Sequence, residues 1–150
     1  MDKLDERIIA ALAKDADVTA TELSAGLHLS VPAINKRIRA LKQEGVIQKY
    51  TVITDHKRVG KPIIAFVLIV LKSIEETDRF FAHVSEDPDF LECHAITGEY
   101  DCMLKVCVAS VEELDRKLAV LKTHNGVMKS YTMLSLTTHK YSPTVLPSTP

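Results

Sequence analysis

The sequence predicts an α+β chain in two parts: a small all-helical domain, then a four-stranded sheet carrying two helices on one face. Three observations predict it. The first third holds three short amphipathic patterns of period 3.6, set off by capping and turn residues. The second half holds a gapless internal repeat, "SIEETDRFFAHV" (73–84) and "SVEELDRKLAVL" (110–121). Each copy lies between runs rich in β-branched and apolar residues, so the order is β-α-β, twice.

In chain order, "LDERIIAALAKD" sets Leu4, Ile8, Ala11 and Leu12 at helical spacing, which predicts a first helix from Leu4 to Lys14. Thr19 and Glu22 have the spacing of a capping box and open a short second helix that Gly26 is expected to end. After the turn "GLHL", Ser30 is a good N-cap. Pro32 falls in the first turn of a third helix, where a missing N–H costs nothing, and Gly45 ends that helix. Three short helices, the last two joined by a tight glycine-containing turn, make a helix-turn-helix unit spanning residues 1–49.

The third helix divides its faces. At 100° per residue, Ile34, Ile38 and Leu41 form an apolar stripe, while Pro32, Lys36, Arg39 and Gln43 lie opposite with Asn35 beside them. Arg37 and Lys42 flank the stripe, and Ser30 stands at the helix entrance. From Lys36 to Lys49 five bases stand against Glu44 alone, whereas residues 1–30 carry three bases against six acids and residues 63–150 eight against twelve. With a formal net charge of −1 the chain is no general nucleic-acid coat, so its positive charge is local. Amide and guanidinium groups on such a face hydrogen-bond base edges in a major groove, and flanking cations meet phosphates. Ser30, Pro32, Asn35, Lys36, Arg37, Arg39, Lys42 and Gln43 are therefore the candidate contacts to double-stranded DNA.

Residues 50–62 read as an extended linker that ends at the Gly-Lys-Pro break, with Lys57, Arg58 and Lys61 expected to face solvent. The second domain spans 63–141. Its repeated helices each open on a capping-box pair, Ser73 with Glu76 and Ser110 with Glu113. The flanking strands are "IIAFVLIVL", "FLECHAI", "CMLKVCV" and "VMKSYTMLSLTT". A ferredoxin-like βαββαβ sheet is the simplest fold with that order. Two helices cover only one face of such a sheet, yet "IIAFVLIVL" is apolar at all nine positions. An exposed second face of that composition would be a large sticky patch. A second copy of the chain is expected to cover it in a two-fold dimer, which also sets two recognition helices at the pitch of successive major grooves, about 34 Å apart.

Composition removes other classes. The chain is 46% hydrophobic, enough for packed cores, but no apolar run approaches the roughly 20 residues of a membrane span. "MDKLDERIIAALAKD" is too charged for a signal peptide, so a cytoplasmic protein without membrane contact is expected. Cys93, Cys102 and Cys107 lack CxxC spacing and read as reduced structural thiols. Cys93 and His94 are adjacent on a strand, so their side chains point to opposite faces and do not share a site easily. Without HExxH, GxSxG or a phosphate-binding glycine loop, no enzyme, metal or cofactor is expected. A metal-responsive regulator using Cys and His of the second domain, or a small-molecule-binding domain without catalysis, are the alternatives. The end of the chain, "SPTVLPSTP" (142–150), reads as a flexible tail.

These motifs resemble one family. "LDERIIAAL", "ELSAGLHLS", "INKRIRALKQEGVI" and "ITGEYDCMLKV" are together similar to the leucine-responsive regulatory protein/AsnC (Lrp/AsnC, feast/famine) transcription regulators, end to end up to Tyr141. The resemblance implies a (winged) helix-turn-helix joined to a ferredoxin-like effector domain, with dimers assembling to tetramers or octamers. It also implies a small-molecule effector, typically an amino acid, held between dimers at the turn carrying Gly98, Tyr100 and Asp101. Thr97 and Glu99 lie in the same turn, and Thr132 joins the set by family position. A departure is Asp17, where the family commonly has arginine. The residues fit the site loosely: a glycine lets backbone approach a ligand, nearby N–H groups suit a carboxylate, and Asp101 suits an ammonium. An ordinary hairpin turn has the same pattern.

Overall fold

The computed structural model describes residues 1–124 and 126–148. The chain divides into two compact units, Met1–Val52 together with the segment from Lys140 on, and Ile53–His139. The terminal segment thus groups with the helical unit; the last two residues of the expected tail lie outside the described residues.

The first unit is built on three helices. Helix α1 (Lys3–Lys14) starts at Asp2, whose carboxylate accepts from the backbone N–H of Leu4 and Asp5 while Asp5 reaches back to the Asp2 N–H. Helix α2 (Ala20–Leu27) opens on the Thr19–Glu22 capping box. It does not end at Gly26. The helix runs on to His28, which takes the left-handed conformation at φ 56° and donates its N–H to the Ser24 carbonyl. A glycine with ordinary φ continues a helix; the left-handed His28 turns the chain out of it, and the Leu29 N–H folds back on the Ser24 carbonyl at 3.3 Å. Helix α3 (Val31–Gln43) is capped by Ser30 and passes through Glu44 to Gly45 at φ 73°. Ile8, Ile9, Leu23, Ile34 and Leu41 are buried together, ringed by Leu12, Val18, Leu29, Ile38 and Ile47. Each comes from the apolar stripe of its helix, which is why three helices too short to persist alone stay folded.

Among the described residues no strand lies between α3 and Ile63. Nor is the linker simply extended. Asp55 accepts from the N–H groups of Lys57 and Arg58 and folds residues 55–61 into a turn closed by the Lys61 N–H on the His56 carbonyl. An aspartate bonding the backbone two residues on is an ordinary turn former.

The second unit is a four-stranded antiparallel sheet of β1 (Ile63–Leu71), β2 (Phe90–Ala95), β3 (Cys102–Val108) and β4 (Val127–Leu134), in the order β2-β3-β1-β4. Helices α4 (Thr77–Glu86) and α5 (Val111–His124) follow β1 and β3. This is the expected βαββαβ arrangement. Alternation along β1 puts Ala65, Val67 and Ile69 into the core with Phe80, Val84, Leu104, Val106, Leu114 and Leu121. Of the two expected capping boxes, the second is half made: Ser110 Oγ accepts from the Glu113 N–H, but Glu113 reaches back to Ala109. The first is not made. Residues Ile74–Glu76 form a 3₁₀ turn, α4 starts after Glu76, and no side chain caps it. A Cβ on Gly126 (φ 69°) would stand 2.3 Å from Glu76 Cβ, so Glu76 packs against the entry to β4, and its carboxylate pairs with Arg79 at 3.3 Å rather than with the Ser73 backbone.

Candidate functional site

Helix α3 presents the polar face its spacing requires. Pro32, Asn35, Lys36, Arg39, Lys42 and Gln43 are exposed, opposite the buried Ile34 and Leu41. Lys36 and Arg39 make no ion pair among the described residues. Ser30 Oγ is used by the Ala33 N–H as the helix cap. Lys42 Nζ sits 4.6 Å from the centre of the Tyr50 ring, a cation–π contact that holds the chain leaving α3 against the helix.

Arg37 departs from the expected pattern. Instead of standing free as a phosphate contact it turns inward, and its Nη1 donates to Asp5 Oδ1 at 2.7 Å and Asp2 Oδ2 at 2.9 Å. Those bonds, Asp5 first, raise the guanidinium pKa. The Asp2 carboxyl is held below its usual range, chiefly by the Asp5 N–H and also by Arg37. Helical spacing alone put Arg37 beside the stripe; only packing α1 against α3 shows what lies there.

The turn of residues 96–101 joins β2 to β3 at the end of β1. Gly98 has φ 119°, a conformation that strains any side chain, and space around its Cα is open. Among the described residues the backbone N–H groups of Thr97, Gly98, Glu99 and Tyr100 have no partner within the chain. Asp101 is differently placed from expectation. Its N–H donates to the Ile69 carbonyl at 2.8 Å and its Oδ2 accepts the Leu71 N–H at 2.7 Å, so one carboxylate oxygen serves the backbone. Thr132 is not brought to the turn. It pairs with Val67 on β4, across β1 from the turn and on the helix-covered side of the sheet.

Sequence reasoning missed Lys129. It pairs with Val70, and its Nζ lies 3.6 Å from Glu99 Oε1 and 5.3 Å from the centre of the Tyr100 ring. It thus sets a cation beside the turn from a strand 29 residues further along the chain. The missing signal is register: the βαββαβ fold sets β4 beside β1, but sequence spacing does not say that Lys129 stands opposite Val70, level with the turn.

The sheet face away from the helices is apolar at its centre. Leu68 lies between Met103 and Tyr131, and Phe66 between Lys105 and Met133. Tyr131 and Met133, both on this face, are exposed. At its margin Glu92 accepts from Lys105 at 2.8 Å, with His94 3.4 Å away. Cys93 packs against the core on the other face, as adjacency with His94 required. Burial pushes the thiols of Cys93 and Cys107 up and that of Cys102 to about 12, so all three stay protonated and are poor nucleophiles.

A cleft of about 370 Å³ on the helix side is lined by His83, Asp87, Glu113, Arg116, Lys117 and Val120. At its edge Lys117 pairs with Asp87 at 2.6 Å and with the buried Asp89 at 2.8 Å, and Lys61 also pairs with Asp89. Lys61, expected in solvent, is a structural partner instead.

Residues 1–48 match the model of a winged helix-turn-helix DNA-binding domain, and residues 64–145 that of the Lrp/AsnC ligand-binding domain. The chain is 33% identical over 140 residues to the HTH-type transcriptional regulator FL11 of Pyrococcus horikoshii, covering 93% of this chain and 92% of that one. It is 34% identical over 149 residues to the glutamate uptake regulatory protein of Zymomonas mobilis, covering 98% and 90%. Among solved structures it is similar to Escherichia coli AsnC, with a TM-score of 0.89, 26% identity and coverage of 98% and 99%. A transcriptional regulator from Neisseria meningitidis, solved as a complex with L-Met, gives a TM-score of 0.91 at 26% identity, covering 97% and 96%.

Proposed function

This chain belongs to the Lrp/AsnC family of transcription regulators, and from that premise we propose that it binds promoter DNA as a dimer through α3 and responds to an amino acid held at the 97–101 turn. The observation that carries the DNA reading is the exposed basic face of α3, where Lys36 and Arg39 make no ion pair among the described residues and serve as base readers, with Asn35 and Gln43 beside them. Lys42 meets phosphate from the same side. Arg37 is left out of the phosphate contacts because its charge is already met by Asp2 and Asp5.

The effector reading rests on the unbonded N–H groups of 97–100, which suit a carboxylate, and on the opposed charges of Lys129 and Glu99, which match a zwitterion. The similarity to a glutamate uptake regulator and to a regulator solved with L-Met supports an amino acid as the class. Asp101 holds the turn in shape. A second copy over the Phe66–Leu68 face makes the dimer, and dimers stack to a tetramer or octamer in which the effector lies between them. The effector acts by favouring one stacking over another and so resetting the spacing of the recognition helices along DNA. The working place of such a protein is the cytoplasm, on the chromosome, and it regulates without catalysing a reaction.

The test is recovery of duplexes from a random-sequence pool by the full-length protein, followed by titration of the complex with each of the twenty amino acids. Enrichment of a pseudo-palindromic sequence, and a change in the size of the DNA complex with one amino acid class, is the expected result. A pool that stays unenriched removes the DNA reading; enrichment indifferent to all twenty removes the effector reading.

A further inference from the structure

Asp2 and Asp5 each divide their two carboxylate oxygens in the same way. Asp2 Oδ1 accepts the Leu4 and Asp5 N–H groups and Asp5 Oδ2 accepts the Asp2 N–H, while the remaining oxygens, Asp2 Oδ2 and Asp5 Oδ1, both accept from Arg37. One end of this network is the start of α1 and the other is the middle of α3, so the cap of one helix is also the anchor of the next. The two contacts span 35 and 32 residues of sequence. The Asp5 side chain is 14% exposed and that of Arg37 30%, so the pair nearest α1 is shielded from solvent.

We infer that Arg37 is a positioning residue for DNA recognition, fixing the roll of α3 through the Asp2–Asp5 cap of α1, and that it is not itself a phosphate contact. This rests on α3 being the DNA-reading helix. The physical need is plain. The stripe of Ile34, Ile38 and Leu41 holds α3 on the core by contacts that have no directional preference, so they resist separation better than rotation. Lys36 and Arg39 lie one residue before and two after Arg37. On a helix of radius about 5–6 Å with side chains, a roll of about 10° moves their tips by about 1 Å, enough to spoil a bidentate contact to a base edge. A guanidinium held by two carboxylates that are themselves fixed by backbone N–H groups supplies the directional restraint.

The two roles of Arg37 predict opposite outcomes for a substitution at its partner Asp5. The full-length protein and its Asp5→Asn and Arg37→Gln variants are titrated with a duplex recovered from a random pool by the wild type, and with the unselected pool, across a range of salt concentrations. As a positioning residue, Arg37→Gln and Asp5→Asn both lower the preference for the selected duplex about five-fold or more, and both leave the salt slope unchanged. As a phosphate contact, Arg37→Gln reduces the slope by about 1, and Asp5→Asn frees the guanidinium and raises affinity on both duplexes. The second pattern overturns the inference while leaving the DNA reading intact, as does an unchanged preference in both variants. No binding by the wild type overturns both. Helical circular dichroism and the melting temperature separate loss of roll from loss of fold, and Arg37→Lys, which keeps the charge but not the two-carboxylate grip, groups with Arg37→Gln in preference.

Discussion

Leu71 and Asp101, 30 residues apart, are joined by a 2.7 Å hydrogen bond from the Leu71 N–H to Asp101 Oδ2, and the Asp101 N–H returns a bond to Ile69. The carboxylate therefore closes the end of β1 as well as shaping the 97–101 turn. Asp101→Ala leaves the Leu71 N–H without its partner and is expected to cost about 1–2 kcal/mol, read from the urea midpoint. Asp101→Asn keeps an accepting oxygen and loses less. Identical midpoints for Asp101→Ala and the wild type would detach the residue from β1.

With Asp101 occupied, the charges open to an effector are Glu99 and Lys129. An amino acid that raises the melting temperature of the wild type by mass action should fail to do so for Lys129→Ala and Glu99→Gln. Both substitutions remove an exposed ion pair, so unliganded stability should change by less than about 1 kcal/mol. A full thermal shift in Lys129→Ala would take the cation out of the site.

Leu68 stands at the centre of the open sheet face, between Met103 and Tyr131. Leu68→Asp puts a charge where a second copy is expected to pack and should convert dimers to monomers at micromolar protein, with helix and strand content retained. Sedimentation velocity measures it. An unshifted sedimentation coefficient would place the dimer contact elsewhere.

Lys36→Ala and Arg39→Ala should each cost about 1–3 kcal/mol on the selected duplex and relax the preference at one base position. Competition with unselected DNA provides the measurement. Equal losses on both duplexes would make these side chains phosphate contacts, and no loss would make them idle surface.

Asp89 is buried between Lys117 and Lys61. Burial pushes its pKa up, but the hydrogen bonds from Lys117 and Lys61 outweigh this and hold it below the ordinary carboxylate value. A folded-state value below the unfolded one stabilises the fold fully above about pH 4 and loses that contribution as the pH falls through the folded value. Asp89→Ala, which removes the carboxylate shared by Lys61 and Lys117 and leaves Lys117 with Asp87 alone, should cost about 2–3 kcal/mol at neutral pH and flatten the acid limb of the stability profile. An acid limb as steep as the wild type's would assign the effect to other carboxylates.

Local chemistry made much of this molecule legible. Ser30, the Thr19–Glu22 pair and Gly45 bound their helices as written because a cap needs only its own neighbours. The 73–84 and 110–121 repeat led to the βαββαβ order for a similar reason: period and punctuation are properties of a segment. The 3₁₀ entry to α4 was not legible, nor was the packing of Glu76 against Gly126, fifty residues away.

The sequence by itself determined which residues are apolar and at what period, hence the helices, the strands, the buried stripe of α3 and the polar face opposite. Tertiary structure alone decided the partners of the charges. Arg37 went to Asp2 and Asp5, Lys61 and Lys117 to Asp89, Asp101 to Leu71, and Lys129 to the turn of Glu99 and Tyr100. The reason is range. Burial follows from a repeating pattern along one segment, whereas these ion pairs and the carboxylate–amide bond need two groups within about 3–4 Å, a distance set only when elements remote in sequence have packed.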